Sequence, residues 1–85
     1  MEKKELIGKV THFFDKISVV VIKLTNKLSV GDEILIQGTE TNFTQKVESM
    51  QVEHKNIEKA KAGDEVGMKV SEKVKENDSV YRIMK

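Results

Sequence analysis

Cysteine is absent from this 85-residue chain, which removes disulfides, thiolate metal sites and cysteine nucleophiles together. Excess charge of either sign is also missing. Fifteen basic and fourteen acidic residues leave a formal charge of +1, so no global field draws the protein to nucleic acid or to an anionic membrane. Any such binding must use a local patch. Arginine occurs once, as Arg82, and the other basic residues are lysines. Lysine is a solvated point charge without the planar fork that reads phosphates and base edges, which weighs against sequence-specific nucleic-acid recognition. No 18 apolar residues run together, and "MEKKELIGKV" lacks an apolar stretch of signal-peptide length, so the chain is expected to be cytoplasmic, with no membrane partner. The phosphate loop GxxxxGK and the dinucleotide fingerprint GxGxxG are missing as well. No nucleotide bound by the chain itself, and no cofactor, is therefore expected.

What is present reads as one folded domain over residues 1–85. Hydrophobic residues make up 38% and charged residues 34%, a balance that suits a compact soluble core better than disorder. Leu6 to Phe14 and Ile17 to Leu24 are dominated by β-branched and aromatic types and read as two strands, joined by a tight hairpin at Asp15 and Lys16. "EILIQ", Glu33 to Gln37, alternates cleanly. Between Thr41 and His54 the apolar phase changes, with Phe43 and Val47 odd but Met50 and Val52 even, so a bulge or break near Glu48 and Ser49 is required. "KNIEKAKAG" carries helix formers enough for a turn or two before Gly63. "EVGMKV" returns to a two-residue period with Val66, Met68 and Val70 inward, and "SVYRIM", Ser79 to Met84, closes the chain. Six short strands with almost no helix imply an antiparallel all-β fold, and at this length a small closed barrel leaves no long unpaired edge.

"VGDEI" at Val30 to Ile34 and "AGDEV" at Ala62 to Val66 are near twins, and "ENDSV" at Glu76 to Val80 is a looser third. Each precedes a strand. Glycine or asparagine tolerates positive φ in a turn, and the aspartate that follows can accept hydrogen bonds from turn N–H groups. Unequal spacing argues against a solenoid repeat, and the acidic pair after each glycine argues against a phosphate cradle. The twins read as punctuation.

Candidate chemistry is sparse. His12 and His54 are the only histidines, and no glycine-framed nucleophile or paired base accompanies them, so no catalytic residue is assigned. A zinc site from His12, His54 and Glu53 would match no ligand spacing, and no metal is expected. One feature stands apart. In "VVVI", Val20, Ile22 and Leu24 share a face, leaving Val19 and Val21 on the other beside Lys23. Such an exposed apolar strip marks a protein contact surface unless the N-terminal residues or the Thr39 to Asn42 loop cover it.

"IGKVTHFFDKISVVV", "LSVGDEILIQG", the Ala62 to Gly67 signature within "VESMQVEHKNIEKAKAGDEVGMKV" and "ENDSVYRI" follow one another as in a known family. The chain resembles the second, β-barrel domain of translational GTPases such as elongation factor Tu and initiation factor two, and is similar to the barrels appended to collagenase-like bacterial peptidases. The resemblance implies a small closed six-stranded antiparallel Greek-key barrel, non-enzymatic, without a GTPase domain. In translation factors that barrel docks to ribosomal RNA or holds the end of transfer RNA. The family's acidic pair is Gly8 and Lys9 here, and its Gly-Arg-Gly hairpin tip is Asp15, Lys16 and Ile17. A weak, salt-sensitive RNA contact, to ribosomal RNA or tRNA, would then fall on Lys9, Lys16, Lys69, Lys73 and Lys75, opposed by Glu72 and Glu76. The alternative is a protein-interaction module, the accessory barrel of a multi-domain enzyme such as a collagenase-like peptidase, using Val19 and Val21.

Overall fold

A computed structural model describes residues 3–84. All regular elements among them are strands: β1 (Lys3–Phe14), β2 (Val19–Leu24), β3 (Leu28–Ser29), β4 (Glu33–Gln37), β5 (Asn42–Lys46), β6 (Met50–Val52), β7 (Lys55–Ile57), β8 (Lys59–Ala60), β9 (Glu65–Lys69) and β10 (Ser79–Met84). The all-β class holds, but the six expected strands are ten. Eight form one antiparallel sheet in the order β5-β4-β10-β1-β2-β9-β6-β7, and β3 pairs with β8 in a second.

The large sheet is rolled but not closed into a barrel. β5 lies at one end of the order and β6 near the other, yet only residues 47–49 separate them in the chain. Four Cα–Cα steps, from Lys46 to Met50, reach about 14 Å at most, so the two ends must curl toward each other. No strand ladder joins them. The expectation of a closed barrel fails because β5 ends at Lys46 and the chain turns inward at buried Val47 before Met50 resumes pairing. The break at Glu48 and Ser49, read from the change of phase, is that inward turn.

Two other expectations are corrected. The first hairpin turns over four residues, Asp15 to Ser18, with Phe14 paired to Val19, Ile17 N–H donating to the Phe14 carbonyl and Ser18 at φ 54°. Ile17 thereby leaves the strand. The helical turn near Ile57 is absent: Val30 N–H donates to the Glu58 carbonyl and Leu28 pairs with Ala60, so long-range pairing holds this lysine-rich stretch extended despite its helix formers.

Alternation places the core. Val20, Ile22 and Leu24 of β2, Ile34 and Ile36 of β4, Val66 and Met68 of β9, and Val80 of β10 all point inward with Ile7, Val10, Leu28, Val47 and Met50. β1 spans the middle of the sheet by means of two register shifts, between Leu6 and Gly8 against β10 and between Val10 and His12 against β2. Such bulges increase local twist and help a single long strand serve both neighbours of a rolled sheet.

The three glycine- or asparagine-aspartate corners are one device used three times. Gly31, Gly63 and Asn77 have φ of 100°, 95° and 74°. In each turn the aspartate N–H donates to the carbonyl three residues back at 3.1 Å, from Asp32 to Ser29, Asp64 to Lys61 and Asp78 to Lys75. The same aspartate's Oδ2 accepts the N–H of that residue, at 2.9, 3.1 and 2.9 Å. Each corner also clips to a buried apolar residue through two backbone bonds. Gly31 N–H donates to Val47 and Val47 N–H to Asp32; Gly63 and Asp64 hold Leu24 likewise, and Asn77 and Asp78 hold Val10. A shared positive-φ position followed by a hydrogen-bonded fourth residue is the demand of a type II turn.

Candidate functional site

The outer faces of β1, β2, β9 and β6 form a shallow apolar groove whose layout follows from strand register. Phe14 stands opposite Val19 and Val19 opposite Lys69; His12 stands opposite Val21, Val21 opposite Gly67, and Gly67 opposite Gln51; Lys9 stands opposite Lys23 and Lys23 opposite Glu65. Period-two geometry puts these residues on the face away from the core. Phe14, Ile17, Val19, Val21, Gln51, Glu53, His54, Glu65 and Gly67 line the groove. Phe14 is 52% and Ile17 59% exposed, while Val19 and Val21 are half-buried.

Val19 and Val21 thus lie together on an uncovered strip. The Thr39 to Asn42 loop does not shield them, since Glu40 and Thr41 face Phe13, on the opposite side of β1 from Phe14. Of the N-terminal residues, Lys3 pairs with Met84 of β10 and lines no part of the groove, and Met1 and Glu2 lie outside the described residues.

One wall of the groove is held by backbone strain. β6 and β7 are joined by Glu53 and His54 alone, both with left-handed φ, 52° and 67°. A two-residue hairpin with both central φ positive is the turn that Asn-Gly favours. A glutamate and a histidine there cost stability, and strain of this kind concentrates at binding sites. The antiparallel register through Gln51 and Gly67 brings Glu53 to the Glu65 end of the groove. Among the described residues neither carboxylate has an ion-pair partner within 4.0 Å.

The lysines singled out from the sequence do not converge. Lys9 and Lys69 stand at opposite ends of the outer face, and Lys16 is in the first hairpin turn. Lys73 and Lys75 share their surroundings with Asp15 and Glu40, and Lys75 is ion-paired to Glu40. His12 is 3.6 Å from Glu76, both exposed, and His54 is at the β6–β7 tip. No group of three His, Asp or Glu side chains suited to a metal ion occurs among the described residues. Sequence reading missed the strained tip, the exposure of Phe14 and Ile17, and Gly67. Only Gly67 carried a signal, as a glycine inside an alternating strand.

The model of the peptidase family U32 C-terminal domain matches residues 2–80. The chain belongs to this family. It is 45% identical over 80 residues to an uncharacterized protease of Methanocaldococcus jannaschii, a match spanning 93% of this chain and 20% of that protein. It is 35% identical over 85 residues to a collagenase of Porphyromonas gingivalis, spanning 98% of this chain and 24% of that protein. This U32 C-terminal domain therefore spans about a fifth to a quarter of the length of the curated relatives it matches. Among solved structures, the C-terminal domain of a Geobacillus thermoleovorans protein assigned to the U32 peptidases superposes with a TM-score of 0.87 at 23% identity, covering 92% of this chain and 91% of that one. Its selenomethionine variant gives 0.85 at 24% identity, covering 89% and 96%. These superpositions fix the fold.

The comparisons correct the main functional expectation. They support the likeness to collagenase-type peptidases and point away from a translation factor and from RNA binding. Among the described residues no helix is long and apolar enough to cross a membrane.

Proposed function

We propose that this U32 C-terminal domain is a non-catalytic docking module, and that its outer groove, centred on Val19 and Val21, holds a polypeptide surface of the peptidase portion found in its longer relatives. The groove itself carries this reading. A small rolled sheet with its core already filled has no folding reason to align Phe14, Ile17, Val19 and Val21 on one exposed face, and such a patch marks a contact surface. The partner this reading assigns is the roughly four-fifths of sequence by which the relatives exceed this chain. The scattered histidines and carboxylates favour a binding role over a hydrolytic one, since a nucleophile and base must stand within hydrogen-bond reach.

Calorimetric titration of the chain into the Methanocaldococcus jannaschii protease, with its matched region deleted, tests this reading. Saturable binding is expected, weakened at least about tenfold when Val19 and Val21 are both replaced by threonine, which keeps the branched shape but exchanges apolar contact for hydroxyls. Affinity unchanged in the double variant would defeat it.

A further inference from the structure

Four of the five glycines are explained by the chain's own fold. Gly31 and Gly63 have left-handed φ. At Gly8 a Cβ would fall 2.7 Å from the Lys23 carbonyl oxygen and 2.8 Å from Ile22 Cγ2, and at Gly38 it would strike the Asp78 carboxylate. Gly67 has no such reason. Its φ lies outside the left-handed range, and a Cβ there would meet only Val19 Cγ1 at 3.9 Å and the Val20 carbonyl at 4.0 Å, ordinary contacts. A glycine inside a strand weakens the strand, and where the fold does not require it, it marks close approach of another group to the backbone.

Gly67 lies in the floor of the groove between Val21 and Gln51. Phe14, Ile17, Val19 and Val21 supply apolar lining, and Glu53 and Glu65 stand together at one end. The titratable groups on this face are those two carboxylates, His54 at the hairpin tip, His12 opposite Val21 with Glu76 at 3.6 Å, Lys23 opposite Glu65, and Lys69 opposite Val19. Glu65 has Lys23 across the ladder, beyond ion-pair distance, and Glu53 has no cation in register. The groove is apolar along its floor and carries two carboxylates at one end.

We propose that Gly67 is the floor of a slot for a branched aliphatic side chain of a protein partner, and that Glu53 and Glu65 hold a lysine or arginine adjoining that side chain. The proposal rests on the docking role argued above and specifies its occupant. The missing Cβ lets an aliphatic side chain rest on the β9 backbone beside Val21, and the adjoining cation forms charge-assisted bonds to the carboxylates at that end.

Amide NMR of the labelled chain tests it, with three peptides as probes: acetyl-Gly-Leu-Lys-Gly-amide, its Leu-Glu counterpart and its Ser-Lys counterpart. The Leu-Lys peptide is expected to shift the amides of Val19, Val21, Gln51 and Gly67 and to bind about fivefold tighter than either control, as expected for one apolar anchor or one pair of exposed charge contacts. Gly67→Ala should weaken it about tenfold while raising Tm by about 3–6 °C, because alanine suits a strand better than glycine. Glu53→Gln with Glu65→Gln should erase the preference for Leu-Lys over Leu-Glu. Equal binding of Leu-Lys and Leu-Glu, or full affinity in Gly67→Ala, would overturn the slot, while the docking role stands if the truncated Methanocaldococcus jannaschii protease still shifts these amides. If neither peptide nor protease moves them, both ideas fall. Shifts that grow with chain concentration alone would identify a second copy as occupant and overturn the proposal.

Discussion

Gln45 of β5 is bonded to Lys69 of β9 as though its side chain were a piece of backbone. Its Nε2 donates to the Lys69 carbonyl at 2.9 Å, and its Oε1 accepts the N–H of Ser71 at 3.0 Å. A side-chain amide carries the same donor and acceptor as a peptide group, so this pair of bonds supplies one rung of the ladder that would have closed the sheet. Gln45 thus bridges the seam of the rolled sheet.

Replacing Gln45 with leucine should remove that rung without disturbing β4 and β5. We expect a loss of about 1–2 kcal/mol, two modest hydrogen bonds at a partly solvated site. Urea denaturation measures the loss, and hydrogen exchange at the Ser71 amide should accelerate selectively. Unchanged Ser71 exchange would show that the seam is held by something else.

The corners predict a ranking. Gly63→Ala forces a Cβ into left-handed φ and should cost about 1–2 kcal/mol, whereas Asn77→Gly should change stability by only a few tenths, because asparagine already tolerates that region. Asp78 is 6% exposed, packed against Gly38 and bonded to the Lys75 N–H. Asp78→Ala should cost about 1–3 kcal/mol and exceed Asp64→Ala, whose bond to Lys61 is solvent-exposed. Thermal melts of the four variants check the order.

The hairpin tip trades stability for position. Changing Glu53-His54 to Asn-Gly should raise stability by about 1 kcal/mol, or about 4–8 °C in Tm, by placing residues that accept positive φ. The same change removes one groove carboxylate. A variant that melts higher yet holds the Leu-Lys peptide less well is the expected outcome, and a variant that melts lower would show that the tip is not strained.

Arg82 is the only arginine. Its Nη2 lies 2.6 Å from Glu5 Oε1, across the β10–β1 ladder, while its Nε is buried without a partner. Methionine fills similar space and removes that orphaned donor. Arg82→Met should therefore fall within about 1 kcal/mol of the parent, and Glu5→Ala, which takes the 2.6 Å partner from a largely covered guanidinium and leaves it Asp32 Oδ2 at 4.0 Å and the Lys27 carbonyl at 3.4 Å, should be the more damaging. Chemical denaturation of the two variants settles the order.

The corners, the alternation of Val19 to Leu24 and the break after Val47 were all legible because each is governed by neighbours in sequence. Positive φ at Gly31 and Gly63, and the aspartate bond back over each turn, follow from four consecutive residues. The seam was not legible, since it depends on Gln45 meeting Lys69 and Ser71 across the whole domain. Lys55 to Ala60 misled for the same reason: local propensity favoured a helical turn, and distant Leu28 and Val30 imposed pairing. In the groove, the valines were readable from their phase. The company they keep with Phe14, Gly67 and Glu53 came from two other strands and one turn.

The clips at Val47, Leu24 and Val10 have a consequence for how the chain can be divided. Corner 31–32 grips a residue downstream of itself, while corners 63–64 and 77–78 grip residues 39 and 67 positions upstream, counted from Gly63 to Leu24 and from Asn77 to Val10. Any cut between Val10 and Asn77 severs at least one of these bonds from its own polypeptide. Neither half retains a complete set of fasteners, so two complementary fragments should gain structure only on being mixed, which circular dichroism of the separate and combined fragments would show.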